Sequence, residues 1–325
     1  MPYEPPFERN DRIDFLCMDI AELVGMVPSN APLAASPVLH RELRIKTIHS
    51  SLLIEGNALD PEAVTAILDG KRVLGDSHDI REVVNAKRAY DLIPELDPYS
   101  LEDLLTAHRA MMDGLVAEAG RFRSGNVGVF DGDALIHAGT PAPYVPEVMA
   151  DLFGWLKTTP MHPLLASCVF HFEFEFCHPF ADGNGRMGRL WHTLLLSRWR
   201  PVLEWLPVES TIRQRQAGYY DALAKSDAAG SSEAFVEFML EAIRDSLVPF
   251  VSPKRERQIV KARALAYFRE NPKGNVSSLS EELGCSKRSA ERIVAELKDE
   301  GALARLGSAR SGSWVVAGDV GTTGA

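Results

Sequence analysis

The sequence has few cysteines and no long apolar run. Its four cysteines, Cys17, Cys168, Cys177 and Cys285, form no CxxC pair and have no zinc-like spacing with histidine, which argues against a disulfide scaffold or zinc site. Cys177 precedes His178, but no base–orienter pair lies nearby in sequence to make it a nucleophile. No apolar stretch reaches the roughly 18–20 residues that span a bilayer, and the chain begins without a secretory signal pattern. These absences predict a cytoplasmic protein with no membrane partner.

Charge is unevenly distributed along the 325 residues. The net charge is −10, yet residues 253–325 alone carry a net +4, so the remainder carries −14. Hydrophobic residues make up 46% of the chain and charged residues 25%, which is ordinary for a globular protein. The length and this asymmetry predict two bodies with different partners.

The apolar spacing predicts a mainly α-helical chain with one inserted β-hairpin. Helices are expected at about 12–25, 37–53, 61–68, 79–95, 100–114, 145–157, 162–176, 184–199, 212–226 and 232–249. Asp131-Gly132-Asp133 separates two short β-prone runs, Val127–Phe130 and Ala134–His137, which is a typical hairpin signal.

After Pro249, Ser252 and Pro253, which indicate a domain boundary, the pattern changes. Helices are expected at about 255–270, 277–283 and 287–300, and strand-like runs at 302–306 and 313–316 follow. This order is that of a winged helix-turn-helix domain. The sequence therefore predicts an N-terminal helical region at 1–99, a core at 100–250, a winged helix at 254–317 and a disordered tail at 318–325.

The stretch HPFADGNGRMGR at 178–189 brings together the groups needed for phosphate chemistry. Its glycines lie where a turn opens a helix, and backbone N–H groups there form an anion site. Arg186 and Arg189 are three residues apart and share a helix face. Asp182 is a hard oxygen ligand suited to Mg²⁺, and position 178 holds histidine, the residue type most often used as a general base. Neither a GxxxxGK[ST] loop nor a PCxxC deaminase motif occurs, so phosphoryl or nucleotidyl transfer is predicted.

This string resembles the signature of the Fic family, HPFx[DE]GNGRxxR, at every specified position. The preceding HFEFEFC at 171–177 is also similar to that family, with Cys177 in place of the usual isoleucine. The resemblance implies a helical Fic fold and a protein adenylyltransferase that uses ATP with Mg²⁺. Its partner would be a target protein with a Ser, Thr or Tyr hydroxyl, which includes the protein itself.

The resemblance also implies a role for each motif residue. His178 would be the general base and Asp182 the Mg²⁺ ligand. Arg189 would hold the γ-phosphate, and Gly185 would favour AMP transfer, because Doc-type relatives with lysine there act as kinases. The residues expected to bind the nucleotide's phosphates are Gly183, Asn184, Gly185, Arg186, Gly188 and Arg189.

Two other segments resemble parts of the same family. The hairpin at about 121–143 is similar to the Fic flap, which pairs with a target segment as an added strand. Its expected docking residues are Val127, Gly128, Val129, Leu135, Ile136 and His137. Tyr219 and Tyr220 resemble residues lining the adenine pocket, and Asp227 is placed to read the base edge. A plain structural hairpin and plain core packing remain the alternatives.

Ser51-Leu-Leu-Ile-Glu55-Gly56 matches the family's inhibitory motif, [ST]xxxE[GN]. Ser51 and Glu55 are four residues apart, so we expect them on one side of a helix at about 37–56. A carboxylate there is expected to pair with Arg189 in bidentate fashion and remove the γ-phosphate's partner. The motif precedes the core, which resembles the class with an N-terminal inhibitory helix. The same glutamate helps remove AMP in some relatives, so that role stays open.

The predicted third helix of the C-terminal domain begins with cations, Lys287, Arg288 and Arg292, where a recognition helix would meet DNA. Glu291 and Glu296 lie on the same helix, so a module for dimerisation or partner docking is the alternative, and dimerisation is compatible with DNA binding. For the whole chain, the alternatives to AMP transfer are a nucleotide-sensing DNA-binding regulator without catalysis, transfer of another nucleotide or phosphate group, and AMP removal.

Overall fold

The computed structural model describes residues 3–27, 32–131, 134–251, 253–306 and 312–317. The chain forms two compact units, Met1–Leu247 and Val248–Ala325. The described residues are mostly helical, with two antiparallel two-stranded sheets, one in each unit. This confirms the expected mainly helical class with an inserted hairpin.

Among the described residues of the first unit, twelve α-helices begin. In chain order they are α1 Asp11–Gly25, α2 Pro32–Ala35, α3 Pro37–Ile54, α4 Pro61–Leu68, α5 Ser77–Asp91, α6 Leu101–Met112, α7 Val145–Thr158, α8 Pro163–Cys177, α9 Asn184–Trp199, α10 Val208–Gln214, α11 Gln216–Ala229 and α12 Glu233–Val251. Several begin at the side-chain caps expected from sequence. Asp60, for example, accepts a hydrogen bond from the Ala63 N–H at the start of α4, where Pro61 occupies the first turn.

The expected helix at 212–226 is wrong in one respect, because it is two helices. The backbone leaves helical geometry at Arg215, with φ −118° and ψ 35°. The Arg215 guanidinium forms an ion pair with Asp245 of α12. No proline or glycine lies at this break, so local sequence carried no signal for it.

Two helices, α8 and α9, form the centre of the first unit. Residues 164–174 of α8 and 186–197 of α9 are buried, and the two helices pack against each other. A helix that is apolar on every side must be enclosed by others, and α3, α6 and α7 pack around this pair. The segment joining α8 to α9 is the motif at 178–183, which is therefore held between the two most buried helices.

The hairpin consists of β1 Gly128–Asp131 and β2 Ala134–Ala138. Gly128 pairs with Ala138 and Phe130 with Leu135, and the register shifts between Val129 and Phe130. Such a bulge places one extra residue on β2 and bends the ribbon. Of the expected turn, Gly132 and Asp133 lie outside the described residues.

The second unit contains α13 Pro253–Glu270, α14 Val276–Leu283 and α15 Lys287–Asp299, followed by β3 Leu303–Leu306 and β4 Ser313–Val316. Its core is an apolar cluster around Phe268, Leu279, Ile293 and Trp314. The Trp314 indole N–H donates to Gly274 O at 2.9 Å, which ties the sheet to the turn after α13. The expected tail at 318–325 lies outside the described residues.

The expected boundary at Pro249 is not the end of a helix, since α12 continues to Val251. Pro249 lacks the N–H for one helical hydrogen bond, but it lies in the last turn of α12, and the helix continues for two more residues. Ser252 lies outside the described residues, and Pro253 begins α13. Within the described part of the chain, every helix is too short or too polar to cross a bilayer.

Candidate functional site

His178 lies where α8 ends, in a left-handed backbone conformation with φ 52° and ψ 60°. It is the one residue other than glycine with positive φ among the described residues. Such strain concentrates at functional sites and persists only where the surroundings hold it. The His178 N–H donates to Phe174 O at 3.0 Å, which closes the last turn of α8. The imidazole is half-buried.

The proton on the His178 ring can be assigned from its partner. Nδ1 lies 3.3 Å from the backbone oxygen of Glu175. A carbonyl oxygen only accepts, so Nδ1 carries a hydrogen, and in the neutral ring Nε2 is then the nitrogen with the lone pair. The local fold thus presents the imidazole in the tautomer that a general base requires.

The loop after His178 is held by a side chain of the motif itself. Asn184 Oδ1 accepts from the Phe180 N–H at 2.8 Å, and its Nδ2 donates to Phe180 O at 2.9 Å. These two hydrogen bonds to the backbone of one residue fix the turn that precedes α9. The Asn184 side chain is therefore committed to the loop, and its backbone N–H is the group left for a phosphate.

His108 of α6 supports the same loop and was not among the residues predicted from the sequence. Its ring stacks on Phe180 with centroids 3.6 Å apart. Nδ1 accepts from the Gly120 N–H at 2.9 Å, so Nε2 carries the hydrogen and donates to Asp182 O at 3.1 Å. His108 is buried. His108 was not predictable, because it lies far from the motif along the chain and a single histidine on a helix carries no local signal.

Replacing His108 with glutamine is expected to flatten the pH dependence of stability. Burial first, and then the Arg186 charge, lower the His108 pKa to about 4 from 6.5. The folded state resists protonation, so this stability is present above pH 6.5 and is lost as the pH falls towards 4. The shift corresponds to about 3 kcal/mol in total. Urea unfolding at pH 7.5 and 5.0, followed by tryptophan fluorescence, measures the difference.

The control for this experiment is His78→Gln, since His78 is exposed at the start of α5. The free energy of unfolding of wild type and His78→Gln should fall together between the two pH values. A His108→Gln protein that loses as much stability as they do would contradict the assignment.

The first turn of α9 presents unpaired backbone donors. Its first helical bond runs from the Met187 N–H to Gly183 O at 2.9 Å, so the N–H groups of Asn184, Gly185 and Arg186 have no partner within the helix. Gly183 provides no side-chain cap and adopts φ 85°. A Cβ on Gly183 would lie 2.6 Å from the Met112 sulfur, so both its conformation and its packing require glycine. This arrangement is an anion site.

Arg186 points into the interior and is held by two carboxylates. Its guanidinium pairs with Glu82 of α5 through Nη1, and Nη2 lies 3.1 Å from Asp182 Oδ1. Glu82 also accepts from Asn57 Nδ2 at 2.8 Å. Glu82, which no sequence pattern singled out, links Arg186 to the segment that follows Glu55.

Asp182 meets the requirements of the expected Mg²⁺ ligand. Its side chain is 54% exposed, and Oδ1 accepts from the Gly183 N–H at 2.6 Å. Mg²⁺ is commonly held by one or two carboxylates together with substrate phosphates and water. A half-exposed carboxylate beside an anion site fits that donor set.

A second group of candidate ligands lies at the start of α5. Atoms of His78, Asp79 and Glu82 lie within 4.8 Å of one another, the one such cluster among the described residues. Glu82 is already paired with Arg186 and Asn57, so we assign no ion to this cluster.

Arg189 is almost completely buried, with 1% of its side chain exposed, and it contacts the end of α3. Nε donates to Ser51 Oγ at 3.0 Å, while Nη2 donates to Ser51 O at 3.0 Å and to Glu55 Oε1 at 2.7 Å. The expected bidentate pair is therefore wrong. Glu55 is the C-cap residue of α3 and reaches the guanidinium through one oxygen, while Ser51 accepts from Nε and Nη2.

The Glu55 carboxylate also lies against the first turn of α9. A Cβ on Gly185 would be 2.4 Å from Glu55 Oε1 and 3.0 Å from Arg189 Nη1. Only glycine leaves room for the carboxylate here. A negative group is thus seated at the helix terminus where a phosphate would bind.

Gly188 faces α8. A Cβ there would lie 2.6 Å from Glu175 Oε1 and 2.9 Å from His171 Cδ2. Close packing between α8 and α9 is sufficient to explain this glycine, and its expected contact with nucleotide stays a prediction. Burial raises the pKa of the Glu175 carboxyl that faces Gly188 to about 7.

The residues expected on the adenine side separate into two environments. Tyr219 is buried and contacts His171 Nε2 through its hydroxyl at 3.2 Å, as plain core packing would require. Tyr220 is 47% exposed, and its ring meets that of Tyr219 edge-on. Asp227 is half-buried near the end of α11. Gln216, which the sequence did not single out, donates to Ile54 O at 3.1 Å and so joins α11 to the end of α3.

The expected flap residues lie on the hairpin. Val127 precedes β1, which begins at Gly128, and Val129 pairs with His137. Leu135, Ile136 and His137 are on β2. In the second unit, Lys287, Arg288 and Arg292 are exposed near the start of α15.

Comparison with known proteins agrees with this fold. Residues 98–196 match the model of the Fic/DOC family. The crystal structure of a Fic family protein from Desulfovibrio desulfuricans superimposes with a TM-score of 0.74 at 42% identity, covering 97% of this chain and 99% of that one. The chain belongs to the Fic family.

Curated relatives include protein adenylyltransferase fic-1 of Caenorhabditis elegans, 29% identical over 227 residues and 65% of this chain. Protein adenylyltransferase Fic of Culex quinquefasciatus is 30% identical over 223 residues and 64% of the chain. The matched region spans 42% and 41% of these two relatives. The structure of Fic-1 from C. elegans, at 24% identity and a TM-score of 0.59, shares the fold.

Proposed function

We propose that this protein is an adenylyltransferase that moves AMP from ATP to a Ser, Thr or Tyr hydroxyl of a protein. The observation that carries the proposal is the convergence of three groups within residues 178–189. An imidazole whose Nδ1 faces the Glu175 backbone oxygen ends α8, unpaired N–H groups open α9, and two buried arginines follow on that helix. The names of the curated relatives support the same reaction.

In the proposed reaction, His178 Nε2 takes the proton of the target hydroxyl. The hydroxyl oxygen attacks the α-phosphorus of ATP, the bond from that phosphorus to the bridging α–β oxygen breaks, and pyrophosphate leaves. Because Nδ1–H is bonded to Glu175 O, the ring that accepts the proton is held in place throughout. Positioned general bases typically contribute about 10²–10⁴-fold to the rate.

The N–H groups of Asn184 and Gly185, together with Arg186, would hold the phosphates, and Arg189 would hold the γ-phosphate. Their partial and full positive charges lie in a buried site, where they stabilise developing phosphate charge more than they would in water. Asp182 would hold Mg²⁺, which neutralises phosphate charge when bound.

We further propose that Glu55 inhibits this reaction. Its carboxylate holds Arg189 at 2.7 Å and lies against Gly185, so it competes with a phosphate for the cation and for the helix terminus. ATP bound beside Glu55 would lack its γ-phosphate partner and would be misaligned for in-line attack. The side chain is 26% exposed, which leaves it a route to move away.

Transfer of label from ATP distinguishes the proposed reaction from its alternatives. Protein in which Glu55 is replaced by glycine is incubated separately with α-labelled and γ-labelled ATP. Incorporation from the α position alone supports AMP transfer, whereas incorporation from the γ position alone identifies a kinase. No incorporation from either would leave a nucleotide sensor without catalysis. Release of AMP from labelled protein by wild type, but not by the variant, would identify AMP removal.

For the second unit we propose a winged helix-turn-helix domain that binds DNA. The specific observation is that Lys287, Arg288 and Arg292 are exposed and form no ion pair with another described residue. Glu296 lies on the same helix and carries a charge that would repel DNA, but neighbouring cations already neutralise it. It contacts Arg257 and Lys261 of α13, each at 2.9 Å. Hydrogen bonds from Arg257 and Lys261 hold the Glu296 pKa at about 2.

The double variant Lys287→Ala/Arg288→Ala is expected to weaken binding to random-sequence duplex DNA. Log affinity falls linearly with log salt, and each lost phosphate contact reduces the magnitude of this negative slope by about 1. The slope of the double variant should therefore be smaller in magnitude by about 2. Fluorescence anisotropy between 50 and 200 mM salt is the measurement. Lys273→Ala, in the exposed turn after α13, is the control.

An unchanged slope in the double variant would overturn DNA binding through α15. If DNA does not bind at all, sedimentation of the wild type and the double variant tests the remaining alternative. A dimer that dissociates in the double variant would assign these cations to dimerisation.

A further inference from the structure

Arg123 lies just before the hairpin and has an unusual set of partners. It is 3% exposed, and its guanidinium donates to backbone oxygens. Nε donates to His178 O at 2.8 Å and Nη1 to Gly125 O at 2.8 Å. Nη2 donates to Thr140 O and, at 3.4 Å, to Cys177 O.

These acceptors belong to three separate segments of the chain. Gly125 precedes β1 and Thr140 follows β2, so the guanidinium bridges the two ends of the hairpin. Cys177 and His178 are the last residue of α8 and the candidate general base. Arginine presents five donors in a rigid planar fork, which allows one side chain to join both ends of the hairpin to the peptide of His178.

Backbone hydrogen bonds join the same segments as the Arg123 side chain does. The Arg123 N–H donates to Pro179 O at 3.1 Å, and the Thr140 N–H donates to Cys177 O at 3.2 Å. Gly139 lies between the partners, since a Cβ there would be 3.1 Å from Arg123 Nη2 and 3.2 Å from His178 Cβ. The base of the hairpin is thus packed directly against the residue that carries the imidazole.

We propose that Arg123 is a positioning residue that fixes the base of the hairpin to the backbone of His178. A target strand paired with the hairpin is then presented to the imidazole in one constant register. The guanidinium also holds the carbonyl of a residue in the strained left-handed conformation, which requires such over-determination. The catalytic consequence rests on the proposed AMP transfer, whereas the anchoring itself does not.

The test uses the full chain with Glu55→Gly as the parent. Arg123→Lys keeps the charge but offers an ammonium, which cannot span the same acceptors. Gly139→Ala keeps Arg123 and adds a methyl against it. Arg88→Lys is the matched control, because Arg88 forms an exposed pair with Asp113 at 3.0 Å. Each protein is examined for hydrogen exchange of residues 123–141, ATP affinity, thermal unfolding and self-incorporation of label from α-labelled ATP.

We expect exchange of residues 123–141 to become about tenfold faster in Arg123→Lys, the equivalent of one charge-assisted hydrogen bond. Self-incorporation should fall by about 10–100-fold, as small misplacements of reacting groups cost. Gly139→Ala should shift both in the same direction. ATP affinity and the unfolding midpoint should stay equal to those of Arg88→Lys.

Three results would overturn the proposal. The first is unchanged exchange in Arg123→Lys, and the second is faster exchange with incorporation equal to the control. The third is a loss of ATP affinity and of the unfolding midpoint in proportion to incorporation, which would make Arg123 a general stabiliser. If the parent incorporates no label, the proposed function fails, and the exchange measurement still decides whether Arg123 anchors the hairpin.

Discussion

Glu55→Gly is expected to raise incorporation of label from α-labelled ATP by about 10–100-fold over wild type. The substitution removes the carboxylate that holds Arg189 Nη2 at 2.7 Å and lies against Gly185. A hydrogen bond between charged groups contributes about 1.5–3 kcal/mol, which corresponds to this range in rate. Labelled AMP retained on the protein is measured after a fixed time at saturating ATP.

The backbone should tolerate this change, because Glu55 follows the last residue of α3 and precedes Gly56, which has φ 91°. Glu55→Gln retains the shape without the charge and should give an intermediate rate. Glu95→Gly, at an exposed turn after α5, is the control and should behave as wild type. Equal incorporation by wild type and Glu55→Gly would remove the inhibitory role of the α3 terminus.

Replacing His178 is expected to reduce AMP transfer by about 10²–10⁴-fold in the Glu55→Gly background, the usual contribution of a general base. The substitution must respect the backbone. His178 has φ 52°, where alanine is strained and asparagine is tolerated. His178→Asn is therefore the better variant. His178→Ala should lose additional stability with no further loss of AMP transfer.

ATP affinity and the thermal unfolding midpoint of His178→Asn should match the parent, because the phosphate site at the start of α9 does not use the imidazole. His162→Asn serves as the control, since that half-exposed histidine precedes α8 on the side away from the motif in sequence. Residual transfer by His178→Asn within a few-fold of the parent would exclude His178 as the base.

The helices were predictable because their signals are local. Asp60 before Pro61 predicted the start of α4. The apolar spacing predicted helices at about 162–176 and 184–199, which are α8 and α9. The break at Arg215 was not predictable. Arg215 pairs there with Asp245, thirty residues away, and neither residue type marks a helix break in the sequence.

The motif residues were predictable as a set, but their individual contacts were not. Asn184 was expected to bind phosphate, yet its side chain holds the Phe180 peptide. Tyr219 had core packing as its alternative, and its hydroxyl is buried against His171. In both cases the residue type allows either use, and the packing of neighbouring helices selects one.

The sequence alone determined the chemistry of residues 178–189, since base, carboxylate, glycines and arginines lie within one turn and one helix start. Tertiary structure decided which groups surround them. Glu55 meets Arg189 across 134 residues, and Glu82 meets Arg186 across 104. His108 and Arg123 reach the same loop from elsewhere in the chain. The physical reason is that a buried guanidinium or imidazole must have a partner, but only the packing of α3, α5 and α6 against α9 determines which residue supplies it.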